Sequence, residues 1–233
     1  MDVITIDIAV WAWVIFWTTY WIFGILITWK AHVSGIRRVK DLAEVVSVVM
    51  INMLWSLFGI VLLYLCPLRA WTDSHIVLKL FLVYIMTDIW FYHFHLLIHH
   101  PQLYKKIHKL HHHDKMMQPY ALTALYCQPF EAIFLNVFST SIGPVICQLP
   151  PPYLYTWYFL IALNSVATHS GITIPYILDG NHDKHHQNYN YYYGISIYFD
   201  WIYGTLPEEN RKDKEEKNLS NFPIDLKELN LPE

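Results

Sequence analysis

Two runs of 22 residues without a single charge, Ile8 to Trp29 and Val45 to Cys66, limit what this chain can fold into. As a helix each run extends about 33 Å, enough to cross the hydrocarbon core of a bilayer. The composition agrees: 55% of the chain is hydrophobic, 17% aromatic and only 15% charged, the balance of a membrane protein. Between the two runs lies KAHVSGIRRVKDLAE, with Lys30, Arg37, Arg38 and Lys40, a loop that the positive-inside rule puts in the cytosol. The first run has no basic leader and no small-residue cleavage site, so it reads as an anchor and not a removable signal.

A third span is expected from Ile76 to Ile98, and it carries Asp88. A carboxylate within a span is expensive, which makes Asp88 a functional candidate. Residues 132–149 and 153–168 are two shorter apolar runs joined by Pro150-Pro151-Pro152. They either cross the membrane as a hairpin or dip in and return. The fold class expected is therefore all-α, a polytopic membrane protein with about four to five apolar helices and a cytosolic helical cap.

The segment from Pro101 to Gln128, with Lys105, Lys106, Lys109 and Lys115, is expected as one or two helices lying on the cytosolic face. Asp179-Gly180-Asn181 offers a turn and an N-cap for a helix over His182 to His186. The charged run PEENRKDKEEK opens a loosely held tail, and the Asn218 glycosylation sequon is expected to be unused there. The domain reading is N-terminal membrane helices over 1–75, a catalytic region over 76–206 and a charged tail over 207–233. The net charge of −3 says little about partners, and nothing resembles a basic nucleic-acid patch. Cys66, Cys127 and Cys147 have no CxxC spacing, so neither a disulfide framework nor a thiolate metal site is indicated.

The chemistry-bearing residues are histidines. Of the 14, eight fall between Tyr92 and His113, and four more are His169, His182, His185 and His186. Their spacing gives HxxxH at His95 and His99, HxxHH at His108, His111 and His112, and HxxHH again at His182, His185 and His186. Residues three and four apart share a helix face, so each cluster aims imidazoles at one point. Imidazole suits iron, zinc and copper. So many rings beside apolar spans, left uncoordinated, would need many hydrogen-bond partners. Eight or nine ligands exceed what one ion takes, so two metals are the natural count. Asp88, Tyr92, His95 and His99 share one stripe, with Asp88 placed to orient a ligand histidine. Clustering at one cytosolic edge fits oxidation of a lipid reached from within the membrane. A metal transporter would line the midplane instead.

Read in order, DIWFYHFHLLIHHP from Asp88, LYKKIHKLHHH, ALYCQPFE, HSG at His169, HDKHH at His182, YYYG and DWIYGT resemble the fatty acid hydroxylase superfamily, also called the sterol desaturase family, of membrane di-iron enzymes. The resemblance covers about Asp88 to Thr205. It implies metal ligation by His95, His99, His108, His111, His112, His169, His182, His185 and His186. His93, His100 and His113 are read as neighbours off the pattern, Asp183 as a residue behind the ligands and Asn164 as one pointing toward the site. Two departures stand out: Leu96 where the family commonly has Arg, and Gln128 where it commonly has His. Gln128 would remove an imidazole able to orient the site.

The resemblance further implies two iron ions, dioxygen, and hydroxylation or desaturation of a lipid, with a sterol preferred slightly over fatty acyl or sphingoid-base substrates. Electrons would come from NAD(P)H through a separate donor such as cytochrome b5 and its reductase, docking near the lysines at 105 to 115. This chain shows neither a haem-binding HPGG segment nor a nucleotide-binding glycine fingerprint. The expected location is the endoplasmic reticulum, with the site facing the cytosol. Tyr191, Tyr192, Tyr193 and Trp201 are candidates to line a flat sterol slot, although an interfacial aromatic belt is the commoner explanation of such residues. The other reading is a non-catalytic lipid-binding membrane protein that keeps a structural metal centre.

Overall fold

A computed structural model describes residues 6–65, 74–113, 118–174 and 180–207. The charged tail, its sequon, Lys115 and Asp179 lie outside the described residues. The chain is an all-α, multi-pass membrane protein. In order it forms α1 (Ile6–Val33), α2 (Leu42–Tyr64), α3 (Ile76–Ile98), the short α4 (Pro101–Ile107), α5 (Pro129–Ile146), α6 (Pro151–Thr168), α7 (Asn181–Gln187) and α8 (Ile197–Ile202). Four of these, α1, α2, α3 and α5, are long and apolar enough to cross a membrane. Large side chains such as Trp11, Leu26, Leu54, Phe58, Val77 and Phe81 are exposed on them. That is the surface a bilayer solvates and water does not.

Small residues set which helices approach closely. The buried face of α1 includes Ala9, Ala12, Gly24 and Ala31, and α1 packs chiefly along α6. A β carbon at Gly24 would lie 2.8 Å from a Leu122 methyl. The α3–α5 pair meets at Gly143, where a β carbon would sit 3.0 Å from the Val83 carbonyl oxygen. The triple proline does not form the hairpin turn itself. Residues 147–150 turn, and Pro151 and Pro152 start α6, the positions where a missing N–H costs nothing.

Two expectations are corrected. Of the one or two surface helices expected over 101–128, only one α-helix forms among the described residues, and most of the rest of the segment is buried. The segment contains α4, of seven residues, and then a largely irregular strap whose residues 120–127 are all buried. This backbone lies among the spans, so its polar groups need partners there. The N-terminal helices supply them. Tyr20 Oη donates to the Leu122 carbonyl (2.8 Å), and the Leu122 N–H donates to Thr28 Oγ1 (3.2 Å). Asn52 Nδ2 donates to the carbonyls of Leu125 and Cys127 (3.0 and 2.8 Å). Second, α7 has no side-chain N-cap; the residue before it is Gly180 in the left-handed region, at φ 71°.

Replacing Gly143 by Val forces α3 and α5 apart and is expected to destabilise the fold by roughly 1–3 kcal/mol. The check is a lower thermal midpoint of the detergent-purified protein.

Candidate metal centre

All nine histidines of the boxes converge, but not box by box. His95, His99, His108, His112 and His185 form one group; His111, His169, His182 and His186 form another. Within each group the candidate ligand atoms all lie within 4.8 Å of one another. Each HxxHH cluster is therefore divided. The i, i+4 pairs His95/His99, His108/His112 and His182/His186 stay together, while His111 and His185 cross to the other group. Four residues along a helix return to within about 40° of the starting direction, whereas three fall about 60° short.

The contacts are between Nε2 atoms. In the five-histidine group His95 meets His108 at 3.1 Å and His185 meets His112 at 3.1 Å. In the four-histidine group His182 meets His169 at 2.9 Å and His186 at 3.1 Å, and His169 meets His111 at 3.5 Å.

The opposite ring nitrogens fix the tautomers. Nδ1 of His95 donates to the Tyr193 carbonyl (2.8 Å), of His185 to Tyr191 (2.6 Å), of His169 to Ser165 (3.0 Å) and of His111 to Tyr126 (3.4 Å). A carbonyl only accepts, so each of these rings presents a bare Nε2 lone pair to the centre. His108 Nδ1 lies 2.9 Å from Glu131 Oε1, within ion-pair distance although not aligned for a hydrogen bond. The bare Nε2 of His95 faces His108 Nε2, and the buried Nε2 of His99 has no hydrogen-bond partner among the described residues. A cation in each group satisfies what the rings cannot supply one another, so the donor set fits two metal ions. Burial also keeps the rings neutral, the state in which imidazole binds a metal. It pushes His111 and His185 down to about 4 and His99 to about 2. His108, His112, His169, His182 and His186 are also lowered, burial again being the largest cause.

The two carbonyls that hold His95 and His185 flank Tyr192, whose φ is 61°, a left-handed geometry that is costly for a bulky residue. Two carboxylates pin this turn. Asp200 accepts from the N–H groups of Tyr193 (2.8 Å) and Gly194 (2.9 Å) and from Thr205 Oγ1 (2.7 Å). Asp88 accepts from the N–H groups of Ile195 (3.0 Å) and Ser196 (3.2 Å) and from the Ser196 hydroxyl. Asp88 does not reach a ligand histidine itself; it holds the turn whose carbonyl holds His95. Asp183 pairs with Arg37 at 2.5 Å. Gln128 is exposed and Leu96 faces outward, so neither departure alters the surroundings of the rings. Sequence reading missed the roles of Glu131 and Asp200, although both stand inside quoted motifs.

A cavity of about 560 Å³ opens beneath both groups. His95, His108, His111, His169 and His182 line it, and so does Asn164. Phe16, Trp17, Ile60, Phe91, Leu135 and Ile161 make much of the remaining wall apolar. Of the four aromatic candidates only Tyr192 lines it; Tyr193 packs against His95 and His99, and Trp201 is exposed. His93, His100 and His113 lie outside both groups.

The sequence profile of the fatty acid hydroxylase family matches residues 80–205. The chain is 30% identical over 141 residues to fatty acid hydroxylase domain-containing protein 2 of Homo sapiens, covering 60% of this chain and 42% of that protein. It is 34% identical over 169 residues to very-long-chain aldehyde decarbonylase GL1-11 of Oryza sativa subsp. japonica (65% and 60%). It is 31% identical over 152 residues to methylsterol monooxygenase 2-2 of Arabidopsis thaliana (60% and 55%). The chain thus spans about half the length of these relatives. No solved structure matches.

Replacing Asp200 by Ala leaves two buried N–H groups without their acceptor and is expected to cost roughly 2–4 kcal/mol. The thermal midpoint should fall by several degrees, whereas Asp200→Asn, which keeps an acceptor oxygen, should lose less.

Proposed function

The chain belongs to the fatty acid hydroxylase family, and on that premise we propose that it is a membrane-bound oxidoreductase. It would hold two iron ions and use dioxygen to hydroxylate or desaturate a lipid, a sterol in first place. The observation that carries this reading is the pair of buried histidine groups bordering a largely apolar cavity. Iron held there supplies activation of dioxygen, which oxidation of an unreactive C–H bond requires.

The remaining tasks fall to the chain. His95, His99, His108, His112 and His185 hold one ion; His111, His169, His182 and His186 hold the other. Glu131, Asp88 and Asp200 keep the first set of rings oriented, directly or through the 191–196 turn. The apolar wall excludes water and lays the lipid against the histidines. A volume of about 560 Å³ is within the range of sites for small organic ligands. The relatives carry names of different substrates, a methylsterol and an aldehyde among them. Family membership therefore leaves the substrate to the cavity wall, which Phe16, Trp17 and Phe91 help to line, and a sterol is placed ahead of a fatty acyl chain.

Oxidation of one C–H bond yields two of the four electrons that reduce dioxygen to water level. The other two come from NAD(P)H through a separate donor, of the cytochrome b5 type. Lys105, Lys106 and Lys109 are exposed on and beside α4. Tyr104, on that helix, lies 5.6 Å from the His99 ring centroid, and Tyr189 lies 4.8 Å from that of His112. This basic, aromatic face is the port through which an acidic donor would reach the five-histidine group. The endoplasmic reticulum with a cytosol-facing site is the location that suits such a donor.

The first test is metal content. His111 and His112 sit in different groups, so the His111→Ala, His112→Ala double variant strikes both. The protein is expected to carry about two irons, one per group, and the variant to lose them; a protein that binds no metal would sink the reading. The docking face has its own test. Changing Lys105, Lys106 and Lys109 to Glu should raise the KM for the donor roughly 10-fold or more at low salt, with less effect at high salt. An unchanged KM would remove the donor from this face. A redox-inactive metal and no lipid turnover with a reductase system would favour a non-catalytic lipid-binding protein.

A further inference from the structure

We propose that Arg37, in the loop between α1 and α2, is a positioning residue that assembles the four-histidine group. Nothing in the family match, which begins at residue 80, assigns it a part. The proposal rests on the reading of that group as a metal site.

The group is built from three chain segments far apart in sequence, and the Arg37 side chain grips all three. Its Nε donates to the Pro119 carbonyl at 2.8 Å, at the start of the strap whose Tyr126 carbonyl receives His111 Nδ1. Its Nη2 lies 2.5 Å from Asp183 Oδ2, one residue after His182 and three before His186. The guanidinium lies flat against Gly171, two residues after His169. A β carbon there would come within 2.3 Å of its Cζ, so only glycine admits it. Gly171 also has φ 74°, the left-handed region that glycine occupies without strain. The side chain is only 11% exposed.

A planar, forked cation suits this task. It can donate in two directions while its face packs on a third segment; lysine, a point charge on a flexible stem, cannot do all three. A bare positive charge beside a cation site would be unfavourable, and Asp183 neutralises it. The five-histidine group is braced differently, by Glu131 and by the carbonyls of Tyr191 and Tyr193. Only His185 reaches it from α7. Loss of Arg37 should therefore fall on one group.

The test uses the full-length protein in detergent, stripped of metal and titrated anaerobically with Co2+, whose d–d absorption reports each site. Wild type should bind two ions. Arg37→Gly should bind the first as before and the second about 10- to 100-fold more weakly, the usual penalty for losing a residue behind the ligands. Added guanidinium ion should restore the second band, which it would not do for a generally misfolded protein. Arg37→Lys should fall between the two, and Arg38→Gly, at the exposed neighbour, should match wild type. Two ions bound by Arg37→Gly with unchanged affinity would overturn the proposal. So would equal loss of both ions, or a loss that guanidinium does not repair. If wild type itself binds no Co2+, it is the metal reading of the histidine groups that falls.

Discussion

Nine imidazoles facing inward from buried positions are the constraint on which the rest of the molecule depends. A neutral ring offers one donor and one acceptor. In His95, His111, His169 and His185 the donor is spent outward on a backbone carbonyl, which leaves acceptors converging on acceptors. Such a set is stable only with cations between the rings, and it binds cations well only if each ring is held before the ion arrives. Much of the irregular structure near the site serves that second need. The strained Tyr192 turn, the two carboxylates that pin it, Glu131 behind His108, and the strap behind His111 are all parts of the mounting.

The N-terminal helices belong to that mounting as well. Phe16 and Trp17 from α1 and Asn52, Ser56 and Ile60 from α2 line the cavity, and Tyr20, Thr28 and Asn52 hold the strap. A non-helical backbone at membrane depth is tolerable only when protein satisfies its polar groups. A boundary at residue 75 therefore separates the chain in sequence but not in physical dependence: the region over 76–206 takes its strap partners from the spans that precede it.

The spans were legible because hydropathy is a local property. Uncharged runs predict α1 and α2 within a few residues, and α3 remains apolar enough to be foreseen despite Lys79 and Asp88. The histidine spacing likewise identifies all nine converging rings. Their division between two groups depends on whether a three- or four-residue step brings a ring back to the same direction, and spacing alone treats both as one face. The strap was misread because the lysines that precede it, at 105 to 115, make the whole segment look interfacial, while its burial is decided by Tyr20, Thr28 and Asn52, distant in sequence. Glu131 and Asp200 went unrecognised for the same reason. A carboxylate in a motif becomes meaningful only when the fold shows which ring or which turn it reaches.

The local winding of α5 shows how far the site reaches into the membrane helices. Residues Ala132–Val137 are wound as a π-helix, directly after Glu131, and such segments concentrate at functional sites. The wider turn disturbs the regular carbonyl pairing, and in a bilayer each freed carbonyl must find another donor. Here the donors are side chains. Trp90 Nε1 donates to the Phe134 carbonyl at 2.7 Å, Ser139 Oγ to that of Leu135, and Thr140 Oγ1 to that of Asn136 at 2.7 Å. The serine and threonine hydroxyls are therefore spent on the helix that carries them, although Ser139 and Thr140 line the cavity. They have little left to demand of a ligand, so even the polar residues of the wall can face an apolar lipid. The same winding brings Glu131 to His108 and Leu135 and Asn136 to the cavity. One irregular turn thus joins the orientation of a metal-group histidine to the surface against which the lipid would lie.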